Sequence, residues 1–587
     1  MGGLPRIPLP AGLRRVARAA LRHPSLVGRQ PTAAQRERTA ATGPREPSRS
    51  REDELLEALP GVIRYRGRLA HVRDDLLPPD VREANLRIAA EALEAGGVAY
   101  GLVPDGGSAH RVAIAPGDRD AALKAWAHAC AGLPVYAQLL GDGRELGEVL
   151  AESLPDAVAA KEAEHRQSGG PADGNQHRQV RGVRLFMPAV TSGRTLYYGP
   201  DHGCDLEFWD PSDSGTGGVA ALRECPYGWW LPSLTATVTR RVGSRDYPVI
   251  DALDRRFPHD IDFPVDAVIT WVDASDPAWR SRRDAAAADA AGTGDAGGTA
   301  GTGDGARSGV DHAEHRYRDR GELRYCLRSI AAYAPWIRHI FLITDHQLPP
   351  WLAVDHPGIT VVDHAALFTG VGHRPVFNSH AIESRLHRVP GLSEHFLYFN
   401  DDIFLGRPQQ PQNYFLPSGL PKVFHDSRAV PPGPPDGTDD VFTASQKTTR
   451  QAVEEAVGRT YPRILAHTPY PLSRSLFAHV EDTLPGLLSA TSRSVFRSAT
   501  DIAPVTLASH LGLADGRAVT GELSHAYVST GRADEIERLP DLVRDRWPDA
   551  FCLADDESAT VTALEQQRVV TAFLEAYFPV PSPYERT

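Results

Sequence analysis

Apolar residues in the second half of the chain come in short, nearly unbroken runs that end in polar residues. Ala267-Val-Ile269, Ile340-Phe-Leu-Ile343 and Phe396-Leu-Tyr-Phe399 are too brief and too flat in period for helices, and they predict buried strands. Glu322-Leu-Arg324-Tyr-Cys-Leu-Arg328-Ser-Ile-Ala-Ala-Tyr333 has helical spacing and should stop near Pro335. Pro375-Val-Phe-Asn378-Ser379-His380-Ala-Ile-Glu383 leads into a second helix. The strand–helix–strand–strand–helix–strand order over 265–400 predicts a mostly parallel, helix-flanked sheet of the α/β class, Rossmann-like in outline.

The first half alternates differently. Helical patterns over Pro79–Ala95 and Asp118–Ala131 are interleaved with strand patterns at Val98–Val103, Arg111–Ala115 and Pro134–Leu139. After a polar break at 167–176, further strands are expected at Val183–Phe186, Thr195–Tyr198, Leu206–Trp209 and Ser233–Arg241. The expected organisation is a basic, disordered arm over 1–52, a small α/β or α+β module over 53–250, and a larger domain over 251–587. An Ala/Gly/Thr/Asp run at 285–309 reads as a flexible insertion inside that last domain, and 431–440 as a Pro-rich loop.

Polar residues gather where the predicted strands end, which is where open α/β sheets bind ligands. Asn400, Asp401 and Asp402 follow the strand at 396–399. Hard cations such as Mg²⁺ take carboxylate oxygens together with substrate phosphates, although an Asn-Asp-Asp turn that merely caps a strand has the same composition. Thr270, Trp271, Asp273 and Asp276 end the first strand, where a nucleoside could lie. Arg324 and Arg328, spaced i, i+4, share one helix face and could meet a diphosphate or simply face solvent. Asn378 and His380 open a helix whose free N–H groups suit anions.

These blocks together resemble the Stealth family of hexose-phosphate transferases. The resemblance continues in His467-Thr-Pro469, in Val495-Phe-Arg497-Ser with Asp501, and in Phe551-Cys-Leu-Ala-Asp555-Asp556, covering roughly 262–585. One departure is Ala554, where the family usually has Asn. The resemblance implies a glycosyltransferase-A-type core that directs an acceptor hydroxyl at the β-phosphorus of a nucleotide-sugar. A sugar–phosphate–glycan diester is formed and a nucleoside monophosphate is released. It implies Mg²⁺ or Mn²⁺ on Asp401, Asp402 and Asp555, with catalytic roles for Asp402, His467, Arg497 and Asp555. His467 is expected as base or acceptor-orienting group and Arg497 as phosphate clamp. Donor contacts are expected from Thr270, Trp271, Asp273, Asp276, Arg324, Arg328, Asn378, His380 and Asn400. The same residues would serve a metal-dependent glycosyltransferase that releases a nucleoside diphosphate, or a non-catalytic glycan- or nucleotide-sugar-binding subunit.

Composition narrows the setting. No stretch approaches the roughly 18 apolar residues of a membrane span, and the first residues lack the apolar core of a signal peptide. The five cysteines are scattered and odd in number, which argues against a disulfide framework or a zinc site. The cytoplasm is therefore the expected compartment. The formal charge of −12 conceals an arm, residues 1–51, with eleven Arg and two Glu. Its +9 leaves −21 on the rest. Leu13, Val16, Ala17, Ala20 and Leu21 share one face of a notional helix opposite Arg14, Arg15, Arg18 and Arg22. Such a segment can lie on an anionic membrane at the inner face of the plasma membrane; a disordered Arg-rich tail reads the same way. The acidic body, without a recognition motif, speaks against nucleic acid.

Overall fold

The computed structural model describes residues 50–586 except 105–108, 142–143, 168–178, 212–217, 293–309, 312–313, 370–374 and 556–558. The basic arm thus lies outside the described residues up to Ser50, which caps a helix over Arg51–Ala58. The chain divides between Phe257 and Pro258 into two compact units. Among the described residues, no helix is long and apolar enough to cross a membrane. All five cysteines are free and buried.

The first unit rests on an eight-stranded mixed sheet. From edge to edge its strands are Val238–Val242, Arg245–Val249, Gly101–Val103, His110–Ile114, Cys204–Phe208, Gly182–Phe186, Tyr136–Gly141 and Arg144–Leu150. Helices Pro78–Ala95 and Arg119–Ala129 bury Leu86, Leu93 and Trp126 in one core with Val112, Leu139 and Leu206. Side chains alternate along a strand, so Asp205 and Glu207 point away from Leu206. Both acids are fully buried and are neutralised there. Arg111 pairs with Glu207 at 2.8 Å, Arg184 with Asp205 at 2.6 Å, and Arg223 bridges the two at 2.6 and 2.7 Å. The Trp209 indole N–H donates to Glu207 at 2.9 Å. Buried charges persist only when paired and hydrogen-bonded in this way.

In the second unit β1 (Val265–Thr270), β2 (Ile340–Thr344), β3 (Ile359–Asp363) and β4 (His395–Asn400) are parallel in the order β3-β2-β1-β4. Tyr470–Ser473 adds antiparallel to the free edge of β4. This is the α/β, Rossmann-like sheet expected from the run pattern. Strand order reverses between β1 and β4, and register pairs Thr270 with Asn400 at their carboxyl ends. Ligands of open α/β sheets bind at such a switch point.

Helix α1 (Pro277–Gly292) runs straight through Ala285. The low-complexity stretch therefore starts inside a helix, because its alanines are strong helix formers, and its remainder over 293–309 lies outside the described residues. Helix α2 (Glu322–Tyr333) buries Leu323, Cys326, Leu327 and Ile330 and ends at Ala334, since Pro335 disfavours helical backbone before it.

After Asn400 the chain makes a two-residue turn, Asp401-Asp402, and enters β5 (Ile403–Leu405). That strand belongs to a different sheet, pairing antiparallel with β6 (Ala550–Ala554), which is itself parallel to His525–Ser529. An aromatic cluster cements the junction: Phe404 stacks on Phe551 at 5.1 Å, and Phe551 meets Tyr577 at 5.0 Å. The chain's last turns are held by α2. Arg328 donates to both oxygens of Glu585, each at 2.7 Å, and to the Phe578 carbonyl at 2.8 Å. Arg324 lies 4.9 Å over the Trp351 ring and 3.6 Å from Glu585.

Removing one partner of a largely buried pair strands the other charge. Glu585→Ala should therefore destabilise the unit by about 3 kcal/mol, read as a lower urea midpoint, and Arg328→Ala should cost a similar amount.

Candidate active site

The carboxyl ends of β1 and β4 open into a cavity of about 760 Å³. Thr270, Trp271, Asn378, His380, Asn400, Asp401, Asp402, His467, Arg497 and Asp555 all line it, drawn from segments nearly 300 residues apart. At its floor the Tyr398 hydroxyl lies 3.0 Å from Thr270 Oγ1 and donates to Asn400 Oδ1 at 2.9 Å. The same hydroxyl reaches Glu383 Oε1 at 3.5 Å.

Asp401 and Asp402 are fixed from both sides, by β4 before them and β5 after. The Leu553 N–H donates to the Asp402 carbonyl at 3.1 Å, and the Cys552 thiol lies 3.5 Å from Asp402 Oδ2. Asp402 Oδ1 is buried with no hydrogen-bond partner. Burial pushes Asp402 up to about 6. Burial and the carboxylates of Asp402, Glu322 and Asp319 push Asp401 well above the usual carboxylate range. Glu322 is itself raised to about 7 by burial. Closely set carboxylates that resist ionisation, one with an orphan oxygen, fit a divalent cation held by oxygen ligands.

Asp555 arrives on the end of β6 and is more heavily engaged. Its Oδ2 accepts from Arg318 at 2.8 Å and Arg320 at 2.5 Å, and its Oδ1 from Gln566 at 2.8 Å. Asp401 and Asp402 are thus the open pair. Away from them, Asp345, His346 and Asp363 bring ligand-type atoms within 4.8 Å of one another. Asp345 is held there by Arg282 at 2.8 Å, and His346 Nδ1 lies 2.7 Å from Asp363.

The other expected residues divide into groups. Asn378 is the cap of helix α3 (Ser379–Glu383), its Oδ1 accepting from the His380 N–H at 3.0 Å. At this helix start, expected to suit an anion, α3 has five residues and the His380 N–H is already taken by the cap. His380 is buried, and burial pulls its imidazole well below the usual value. Asp273 and Asp276 shape the turn after β1, accepting from the Ser275 and Ala278 N–H groups at 2.7 and 2.8 Å. Their side chains do not line the cavity, and neither do those of Arg324 and Arg328, which are spent on Trp351 and Glu585.

His467 reaches the cavity wall with its ring edge-on to Tyr527 at 5.2 Å. Burial, with Arg428 nearby, holds its imidazole down at about 4. It is therefore neutral throughout the working range instead of titrating within it. Glu383, which the sequence placed only as the end of a helical block, is the group poised there: burial pushes it up to about 7, while Arg497 works against the shift. Arg497 donates to Ser379 Oγ one turn earlier on α3. Arg318, Arg320, Arg428 and Tyr527 also line the cavity; an isolated Arg or Tyr carries no local signal that could have marked them.

Comparison with known proteins matches the four conserved regions of Stealth proteins: region 1 over 263–289, region 2 over 316–423, region 3 over 466–511 and region 4 over 540–587. An exopolysaccharide phosphotransferase of Streptomyces coelicolor is 36% identical over 596 residues, covering 98% of this chain and 94% of that one. The chain belongs to the Stealth family. A second Streptomyces coelicolor exopolysaccharide phosphotransferase is 41% identical over 92% of this chain, which spans only 54% of that relative's length. The exopolysaccharide phosphotransferase CpsY of Mycobacterium tuberculosis is 33% identical, over 90% of this chain and 92% of its own. Among solved structures, the galactosyltransferase LgtC aligns at 13% identity and a TM-score of 0.26, over 44% of this chain and 93% of its own. Mouse xyloside xylosyltransferase 1 aligns at 8% and 0.25, over 51% and 100%.

All four Stealth regions contribute to the cavity, with Arg428 and Tyr527 added from the segments between them. Thr270 and Trp271 come from region 1, Asn378 to Asp402 from region 2, His467 and Arg497 from region 3, and Asp555 from region 4. Ala554, the departure from the family pattern, sets a methyl group in the wall.

Asp402, Glu322 and Glu383 keep protons in the native state that the unfolded chain releases near pH 4. Their contribution to stability is complete below that pH and is lost as pH rises through 6–7. Without divalent ions the melting temperature should therefore fall over this window. Added Mg²⁺ should raise it by several degrees at pH 8 and much less at pH 5.5, where protons compete. Differential scanning fluorimetry checks both, and Asp402→Asn should abolish the Mg²⁺ increment.

Proposed function

We propose that this protein transfers a sugar-1-phosphate from a nucleotide-sugar to a hydroxyl of a glycan acceptor in exopolysaccharide synthesis, releasing a nucleoside monophosphate. It is an enzyme of the phosphotransferase class, as its Stealth membership and the names of its relatives indicate. One observation carries the finer reading: an open carboxylate pair, a guanidinium and a carboxyl group with a pKa near 7 share one cavity at the switch point of the sheet. Phosphoryl transfer asks for little else, since its catalysis is mostly positioning and charge neutralisation.

The residues divide the work. Trp271 and Thr270 offer a nucleoside an aromatic wall and a hydroxyl at the end of β1. Asp401 and Asp402 would hold Mg²⁺ or Mn²⁺, which when bound neutralises charge on the donor diphosphate. Arg497 presents a fork of donors to the transferring phosphoryl oxygens. The acceptor oxygen attacks the β-phosphorus, the bond from that phosphorus to the bridging oxygen breaks, and the bridging oxygen leaves on the nucleoside monophosphate. Glu383 accepts the hydroxyl proton, because a base works best with a pKa close to the operating pH. Neutral His467 orients the acceptor by hydrogen bonding. A cytoplasmic enzyme, in contact with the inner membrane surface through its basic arm, is the setting this reading implies.

The test is the nucleotide released from a panel of UDP- and GDP-sugars with Mg²⁺ or Mn²⁺ and short glycan acceptors. Monophosphate matched by a phosphodiester ³¹P signal is expected; diphosphate release would make the protein a glycosyltransferase and remove Arg497 and Glu383 from these roles. Glu383→Gln should slow turnover by about 10²–10⁴-fold. In the wild type, turnover should climb as pH rises through about 7, where Glu383 ionises, and His467→Gln should leave that inflection in place.

A further inference from the structure

Arg497 sits on a two-residue strand, Arg497–Ser498, that pairs antiparallel with the equally short Val310–Asp311. A buried carboxylate four residues on fixes it further. Asp501 is 2% exposed and receives three donors. Ser494 Oγ gives to its Oδ1 at 2.6 Å, while Asn378 Nδ2 and the Ser498 N–H each give to its Oδ2 at 2.8 Å. Two of these donors belong to the loop that carries Arg497, and the third is the cap of the helix that carries Glu383. Asn378 also donates to the Ser494 and Phe496 carbonyls, each at 3.3 Å, and the Phe377 N–H donates to the Val495 carbonyl at 2.8 Å. The loop is thereby sewn to the start of α3 on both sides of Arg497.

We infer that Asp501 is a positioning residue of the transfer reaction, holding Arg497 at the fixed distance from Ser379 and Glu383 that a phosphoryl clamp needs. The inference rests on the function proposed above. A carboxylate suits the post because it accepts several hydrogen bonds at once, whereas an amide at the same place would turn its NH₂ against a donor. Guanidinium placement matters because a small displacement of a charge-stabilising group costs much of its effect. Asn378, expected to touch substrate, belongs to the same device.

The experiment is a double-mutant cycle. Asp501→Asn should lower kcat by about 10–100-fold, and Ser494→Ala, which removes one of the three donors, by a smaller factor, with the donor KM changing less than kcat. If Asp501 works through Arg497, neither substitution should slow the Arg497→Ala enzyme further, since residues acting as a unit are non-additive. Losses that multiply with Arg497→Ala would make Asp501 an ordinary fold residue and overturn the assignment. If Asp501→Asn does not fold, the Ser494→Ala arm decides, and unchanged kcat there overturns it as well. Should the wild type release no monophosphate, the proposed reaction fails on its own. The same cycle is then read from the affinity of UDP and GDP by calorimetry, with non-additive weakening expected and additive or absent weakening overturning the inference.

Discussion

The site depends on one constraint: the chain changes sheets across two residues. β4 lies in the parallel sheet, β5 in the sheet shared with β6, and Asp401-Asp402 is all that separates them. The backbone of each Asp is consequently held within a residue or two of a hydrogen-bonded strand, which fixes where its side chain starts from. Two acidic side chains are thus forced together in a partly desolvated corner. Burial opposes the ionisation of both, and for Asp401 the neighbouring Asp402 carboxylate adds to it.

Much of the surrounding architecture answers to this corner. Because β5 pairs with β6, the C-terminal block arrives beside Asp402, bringing Cys552 against its carboxylate and Asp555 with its two arginines into the wall. The aromatic cluster of Phe404, Phe551 and Tyr577 anchors that second sheet, and the Arg328–Glu585 pair closes the chain's last turns over α2. On the opposite side, α3 and the Arg497 loop are joined through Asn378 and Asp501. The segments that carry the positive group and the carboxyl group are therefore tied to each other by hydrogen bonds.

The residues used in this way explain why the reading of the sequence was uneven. The Asn-Asp-Asp turn was legible because a strand pattern ends there and open sheets bind ligands at such ends. Arg324 and Arg328 were legible as one helix face, but not as the holders of Glu585, which lies more than 250 residues away. His467 was legible as an imidazole; that burial and Arg428 keep it neutral depends on neighbours that local spacing does not report. Glu383 stood at the end of a short helical block with no signal of its own and gained its character only from the cavity around it.

By itself the sequence determined the kinds of element and their order, since runs, periods and prolines act over a few residues and are written in local chemistry. It also determined the family, because four separate blocks recur in order. The tertiary structure alone decided which polar residues meet, which carboxylates stay open and which are spent on arginines, and where protons sit. Those properties arise from desolvation and from pairing between distant segments, and both exist only once the sheets have formed.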